Sequence, residues 1–156
     1  MATGKAKIRI VGPVSLTVPT GALADKDSMA EFVLEEDFLT KSGLAIIHWV
    51  KVEDPDNQKG AFDIVVSKTD FDLAAAGIGN IIDFADAQDA NILEQVNIVA
   101  TDYNDNANSA NAWRRGYNGF LNSDGLTDLY VGAISRGTKT YAGAVVRVYF
   151  GLFDMN

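Results

Sequence analysis

The chain has 156 residues, enough for one domain whose core needs neither disulfides nor metals. Hydrophobic residues at 47% and charged ones at 22% exclude disorder, and the lack of cysteine excludes disulfides, thiol catalysis and zinc–thiolate sites. A net charge of −8, from 13 basic and 21 acidic residues, argues against nucleic acid as a partner, because that needs a broadly basic surface.

The N-terminus, MATGKAKIRIVGP, is basic but lacks the apolar core of a signal peptide, and no apolar run reaches the roughly 18 residues of a membrane span. The expected location is a cytoplasm, or a particle assembled in one, with no membrane partner. Residues 1–24 hold Lys5, Lys7 and Arg9 and no acid, a charge of +3. The other 132 residues carry 10 positive and 21 negative charges, a net −11. This divides the chain into a basic N-terminal strand or arm (1–24) and an acidic body (25–156) within one domain. The segment reads either as a first strand with a solvated face or as a docking arm for an acidic partner.

Period-two alternation then dominates. KAKIRIV (5–11) places Ala6, Ile8 and Ile10 on one side and Lys5, Lys7 and Arg9 on the other, so the apolar set is expected to pack beneath. Gly12-Pro13 interrupts it and VSLTV (14–18) resumes. EFVLE (31–35) is a short strand. LAIIHWVKVE (44–53), the turn cluster EDPDNQKG and AFDIVVS (61–67) read as a hairpin with a wide loop. Residues 68–91 are expected to be irregular. ILEQVNIVA (92–100) is a further strand, followed by an Asn-rich segment, 101–125, read as a long loop. TDLYVGAIS (127–135) and YAGAVVRVYFGLF (141–153) read as a second hairpin, with Ala144, Val146, Val148, Phe150 and Leu152 forming an apolar face. Short strands without a long amphipathic helix predict an all-β fold, an antiparallel β-sandwich or jelly roll in a single domain.

Chemistry-bearing patterns are few. The lone His48 lies in a strand, where a hydrogen-bonded core or interface residue is the expected role rather than a catalytic one. Gly77 and Gly79 give a G-x-G without the third glycine of a dinucleotide fingerprint, since position 82 is Ile. In the Asn-rich segment, Asp102, Asn104 and Asn106 match the first ligands of a calcium loop. Ala107 and Trp113 then stand where Gly and Glu belong. An irregular calcium site using Asp102, Asp105 or Asp124 stays open beside a purely structural role for the Asn and Asp residues. Trp113, Arg114, Arg115 and Tyr117 are of the types enriched at protein contacts, and aromatic plus Arg also suits a sugar or a base. No catalytic residue, cofactor or required metal is expected. The candidate interaction residues are Lys5, Lys7, Arg9, Trp113, Arg114, Arg115 and Tyr117.

The runs GAFDIVVSKTDFD, NIVATDYNDNANSANAW and LTDLYVGAISRGTKTYAGAVVRVYFGLFD resemble small β-rich structural proteins of tailed bacteriophages. Those pair a strand of the LDLVF kind with a downstream ATDY strand and end on a LYVxLxSRGTPTY hairpin. The resemblance spans roughly residues 44–153, with Lys139 where Pro is frequent and the Trp-Arg-Arg segment extra. It implies a non-enzymatic virion protein, foremost a head decoration (cement) protein that binds the outer shell and stabilises it. The implied partners are the major capsid protein or other virion proteins and further copies of the chain in a homo-oligomer. A tail, fibre or head-fibre component, or a phage-borne carbohydrate-binding module, is the alternative.

Overall fold

The computed structural model describes residues 8–71, 73, 90–106 and 109–155. The described residues form eleven strands: β1 (Ile8–Thr17), β2 (Thr20–Leu23), β3 (Ser28–Glu35), β4 (Leu44–Asp54), β5 (Phe62–Ser67), β6 (Ile92–Ile98), β7 (Tyr103–Asn106), β8 (Ser109–Asn122), β9 (Leu129–Ser135), β10 (Lys139–Ala142) and β11 (Val145–Asp154). All strand pairings among the described residues are antiparallel. Five strands form one sheet in the order β1-β11-β4-β8-β7, and four form a second in the order β3-β9-β5-β6. β2 and β10 make a small ribbon that buries Leu23 and Tyr141. The two main sheets pack as a sandwich, with β3 meeting β1 along one margin and β6 meeting β8 along the other.

Alternation explains the core. In β11, Val146, Val148, Phe150 and Leu152 are fully buried, while Val145 and Arg147 between them are exposed. They face Ile64, Ile98, Leu129 and Val131 from the opposite sheet and Phe38 from the β3–β4 connection, whose ring meets Phe150 edge-on at 4.9 Å. β4 follows the same rule with one slip: Ala45 and Ile47 point inward, then Val50 and Val52. A bulge at His48–Trp49 resets the parity, because β11 advances one residue while β4 advances two.

Several expectations are corrected. The two expected hairpins are not hairpins: β4 and β11 lie in the five-stranded sheet, β5 and β9 in the other. EDPDNQKG and the RGTKT region therefore carry the chain between sheets. Asp54 organises the first crossing by accepting from the backbone N–H of Asp56 (3.1 Å) and Lys59 (3.0 Å). The long Asn-rich loop is also absent. Most of 101–125 is β7 and the 14-residue β8, paired from Tyr103↔Ala112 to Asn106↔Ser109. Small inward side chains, Ala110 and Ala112, let that strand pack against the core.

The basic segment is no free arm over residues 8–24, where it forms the edge strand β1 and the ribbon strand β2. Its faces are also reversed: Ile10 is 64% exposed and Val11 is buried. Arg9 turns instead to the sandwich margin, where it pairs with Asp154 at 2.8 Å and donates to the carbonyls of Asp37 and Phe38. At Gly12 (φ 112°) the register shifts, and a Cβ there would lie 2.5 Å from the Val148 carbonyl oxygen, so only glycine fits. Lys5, Lys7 and the Gly77/Gly79 motif lie outside the described residues, as does most of the segment expected to be irregular.

Candidate contact face on the five-stranded sheet

Directly opposed residues on neighbouring strands share a face, so the strand register locates each side chain. Outward on β4 come Ile46, Trp49, Lys51 and Glu53. The rows across the sheet are Ile8–Phe153–Ile46–Phe120, Ile10–Gly151–Trp49–Arg115, Tyr149–Lys51–Trp113 and Arg147–Glu53–Asn111. One half of this face is thus aliphatic and aromatic, the other aromatic and charged. Ile10 at 64% and Phe120 at 51% are the two most exposed large apolar side chains among the described residues.

The charged half is tightly organised. Lys51 Nζ sits 5.0 Å from the Tyr149 ring centroid and 5.6 Å from that of Trp113, and it pairs with Glu53 at 2.6 Å. The Tyr149 hydroxyl donates to the other Glu53 oxygen at 3.2 Å, and Arg147 approaches it at 4.0 Å. The lysine beside it holds the Glu53 carboxyl below the usual carboxylate range, against a smaller opposing effect of burial. Trp113 also carries the Arg115 guanidinium at 5.1 Å and meets Trp49 at 5.4 Å, with the rings inclined by 52°. Trp49 lies flat over Gly151, where a Cβ would fall 2.1 Å from the indole. His48, in the bulge, packs against the Phe153 ring at 5.0 Å.

The four residues expected to act together are divided by the strand. Trp113 and Arg115 face outward with Trp49 and Lys51. Arg114, opposite buried Val50, turns toward the sheet interior and reaches Asp102 at 3.4 Å. Between Arg115 and Gly119, three residues of β8 oppose His48 alone, and Gly116 (φ 64°) and Asn118 (φ 57°) supply the left-handed geometry. This wide bulge aims Tyr117 across the sandwich margin, where its hydroxyl donates at 2.8 Å to Glu94 and lies 3.1 Å from the Gln95 carbonyl. Burial, then the Glu94 carboxylate, push the Tyr117 phenol well above its ordinary value. Tyr117 joins the two sheets, Arg114 ties β8 to the turn before β7, and Trp113 and Arg115 face outward.

The cation reading fares differently. Asp102 accepts from its own turn (Val99 N–H, 3.0 Å) and from Arg114, and Asp124 is paired with Lys68. Asp102 touches β8 at Arg114, whereas Asp124 follows its last residue, on the order of 20 Å away at about 3.3 Å per residue. These two cannot share one ion. No group of three or more potential metal ligands occurs among the described residues, and no helix there is long and apolar enough to cross a membrane. What sequence reading missed is the contribution of Trp49, Lys51 and Tyr149, which only the register brings beside Trp113, and of Phe120, exposed further along the same strand. Compared with known families and with curated proteins, the chain matches none.

Proposed function

We propose that this is a non-enzymatic structural protein of a tailed-bacteriophage particle, a head decoration protein that binds the outer shell and stabilises it. The observation that carries the reading is the outer face of the five-stranded sheet. A solitary sandwich domain presents polar residues there, whereas this one presents Ile10, Phe120, Trp49 and Trp113. Such a face serves contact with a neighbouring subunit. The strand order supports the reading: leaving out the short strands β2, β7 and β10, the chain builds β1-β11-β4-β8 against β3-β9-β5-β6. That order supports reading the sandwich as the double Greek key of a jelly roll, an architecture used by viral capsid and lectin domains, and fold alone does not choose between those uses. The sequence resemblance chooses the virion. The 52° inclination of the two indoles argues against a flat stacking platform for sugars.

The test is binding of purified protein to empty phage heads, scored by co-sedimentation and by particle rupture on heating. Decoration predicts saturable occupancy and a raised rupture temperature. Binding to tails alone would move the protein elsewhere on the particle, and specific glycan binding without particle binding would replace the proposal by the carbohydrate module.

A further inference from the structure

Resting on the reading of the outer sheet face as a subunit contact, we propose that its occupant is a second copy of the same chain, docked head to tail through that copy's acidic end. The face carries three cations, Lys51, Arg115 and Arg147, against one carboxylate, Glu53. On a chain of net −8 it is a cationic patch. Two such faces pressed together would oppose like charges, so the symmetric pairing is disfavoured.

The complementary surface is on the same molecule. Where β3 ends, Glu35, Glu36 and Asp37 enter a turn fastened to the β8–β9 loop: Asp37 N–H donates to Asp128 at 2.9 Å, and Leu39 N–H to the Thr127 carbonyl at 2.8 Å. With Asp124, this end gathers five carboxylates. The cations beside them are Lys41, Lys68, which is paired with Asp124, and Arg9, which is taken by Asp154. The charge is not neutralised locally: Glu35 is pushed above the usual carboxylate range first by burial and then by Glu36. The acidic end also exposes apolar side chains, Leu34 at 45% and Leu126 at 46%. It offers leucines flanked by carboxylates to a face of Ile10, Phe120 and Trp113 flanked by Arg115, Arg147 and Lys51.

The face is of a suitable size. Four strands of about 4.8 Å and eight residues rising about 3.3 Å each cover roughly 20 by 25 Å, about 500 Å² a side, the size of a weak or transient contact that repetition along a ring or chain reinforces. A contact between different patches leaves one of each free on a dimer. It therefore closes into a ring or grows as a chain.

The experiment uses the isolated full chain, so its outcome is separate from that of shell binding. Sedimentation velocity is run at 0.1 M and 1 M salt on wild type, a face variant (Ile10→Ser/Arg115→Glu) and an end variant (Glu36→Lys/Leu126→Ser). All four positions are exposed, and melting curves check folding; Ile10→Ser alone replaces the face variant if the double change unfolds it. Wild type should associate beyond dimer and do so more weakly at 1 M salt, where the screening length falls from about 10 Å to about 3 Å. Each variant alone should associate at least tenfold more weakly. Their mixture should form a 1:1 dimer and stop there, because one sound face meets one sound end. A monomeric wild type overturns the proposal. So does an end variant that still dimerises by itself, which would mean face-to-face pairing, or a mixture that stays monomeric.

Discussion

Gly151→Ala is a sharp probe of the outer face because it adds one methyl at a defined point. That methyl would lie 2.1 Å from Trp49 Cε2 and 2.2 Å from Nε1. Carbon contacts are comfortable near 3.5–4.0 Å, so the indole has to withdraw by about 1.5 Å or leave its rotamer. Gly151 has no positive φ, so backbone strain plays no part. Overpacking of this kind costs about 1–3 kcal/mol, and loss of the Trp49–Trp113 contact about 0.5–1.5 kcal/mol. Replacing a strand glycine by alanine returns about 0.5–1 kcal/mol. The net expectation is a destabilisation of about 2 kcal/mol, or a fall in Tm of about 4–8 °C at this chain length. The chain has only two tryptophans, so their emission reports the change directly, with a shift to longer wavelength as Trp49 enters water. The near-ultraviolet circular dichroism of the indole pair should fall while the far-ultraviolet β signal persists. A variant with unchanged Tm, emission and indole dichroism would show that Trp49 does not lie over residue 151, and the face would have to be rebuilt.

Arg136→Ala should lower stability by about 2–3 kcal/mol in chemical denaturation: it strips the 2.6 Å partner from Asp63, a buried carboxylate that then keeps only the Gln95 and Asn97 amides. Tyr103, Tyr117 and Tyr141 are all pushed above their ordinary value, chiefly by burial. Their folded pKa values exceed the unfolded ones, so their contribution is complete below about pH 10 and declines as pH rises further. In an alkaline titration the phenolate absorbance of these three should appear together with loss of the β signal, not before it. For Glu53 the sign is opposite: its folded pKa is depressed, so stability should decline as pH falls below about 4.5, and Lys51→Met should flatten that acid limb. EDTA and excess calcium should leave the melting temperature unchanged, because Asp102 and Asp124 are paired at separate places; a rise of many degrees with calcium would expose a real site.

Strand positions were legible wherever alternation ran unbroken, as in Val146–Leu152 and in Ala45–Ile47. Pairing was not, because it depends on where a loop sends the chain. EDPDNQKG has the composition of a hairpin turn, yet Asp54 holds it as a crossing between sheets. Residues 109–122 read as loop for the Asn-rich composition of their segment, and Gly116 and Asn118 interrupt the alternation that would have marked a strand. A bulge absorbs those residues without ending the strand. Trp113 and Arg115 were identifiable from residue type. Their separation from Arg114 follows from simple alternation once the segment is a strand, and that from Tyr117 from the bulge at 116–118, where parity reverses. Trp49 and Tyr149 come from strands distant in sequence and become neighbours of Trp113 only through register.

The place of β11 has a consequence for synthesis. This last strand lies between β1 and β4, and Arg9 meets Asp154 across 145 positions of sequence. While the ribosome is still short of Val145, the first strand and the fourth have no neighbour to join them, and the five-stranded sheet cannot close. Pairings this remote in sequence also form slowly. A chain ended before Val145 consequently lacks Tyr149, Phe153 and the glycine under Trp49, and with them the organised outer face of the five-stranded sheet. Synthesis through β11 is thereby a condition for forming the outer face on which Trp49, Lys51 and Trp113 lie together.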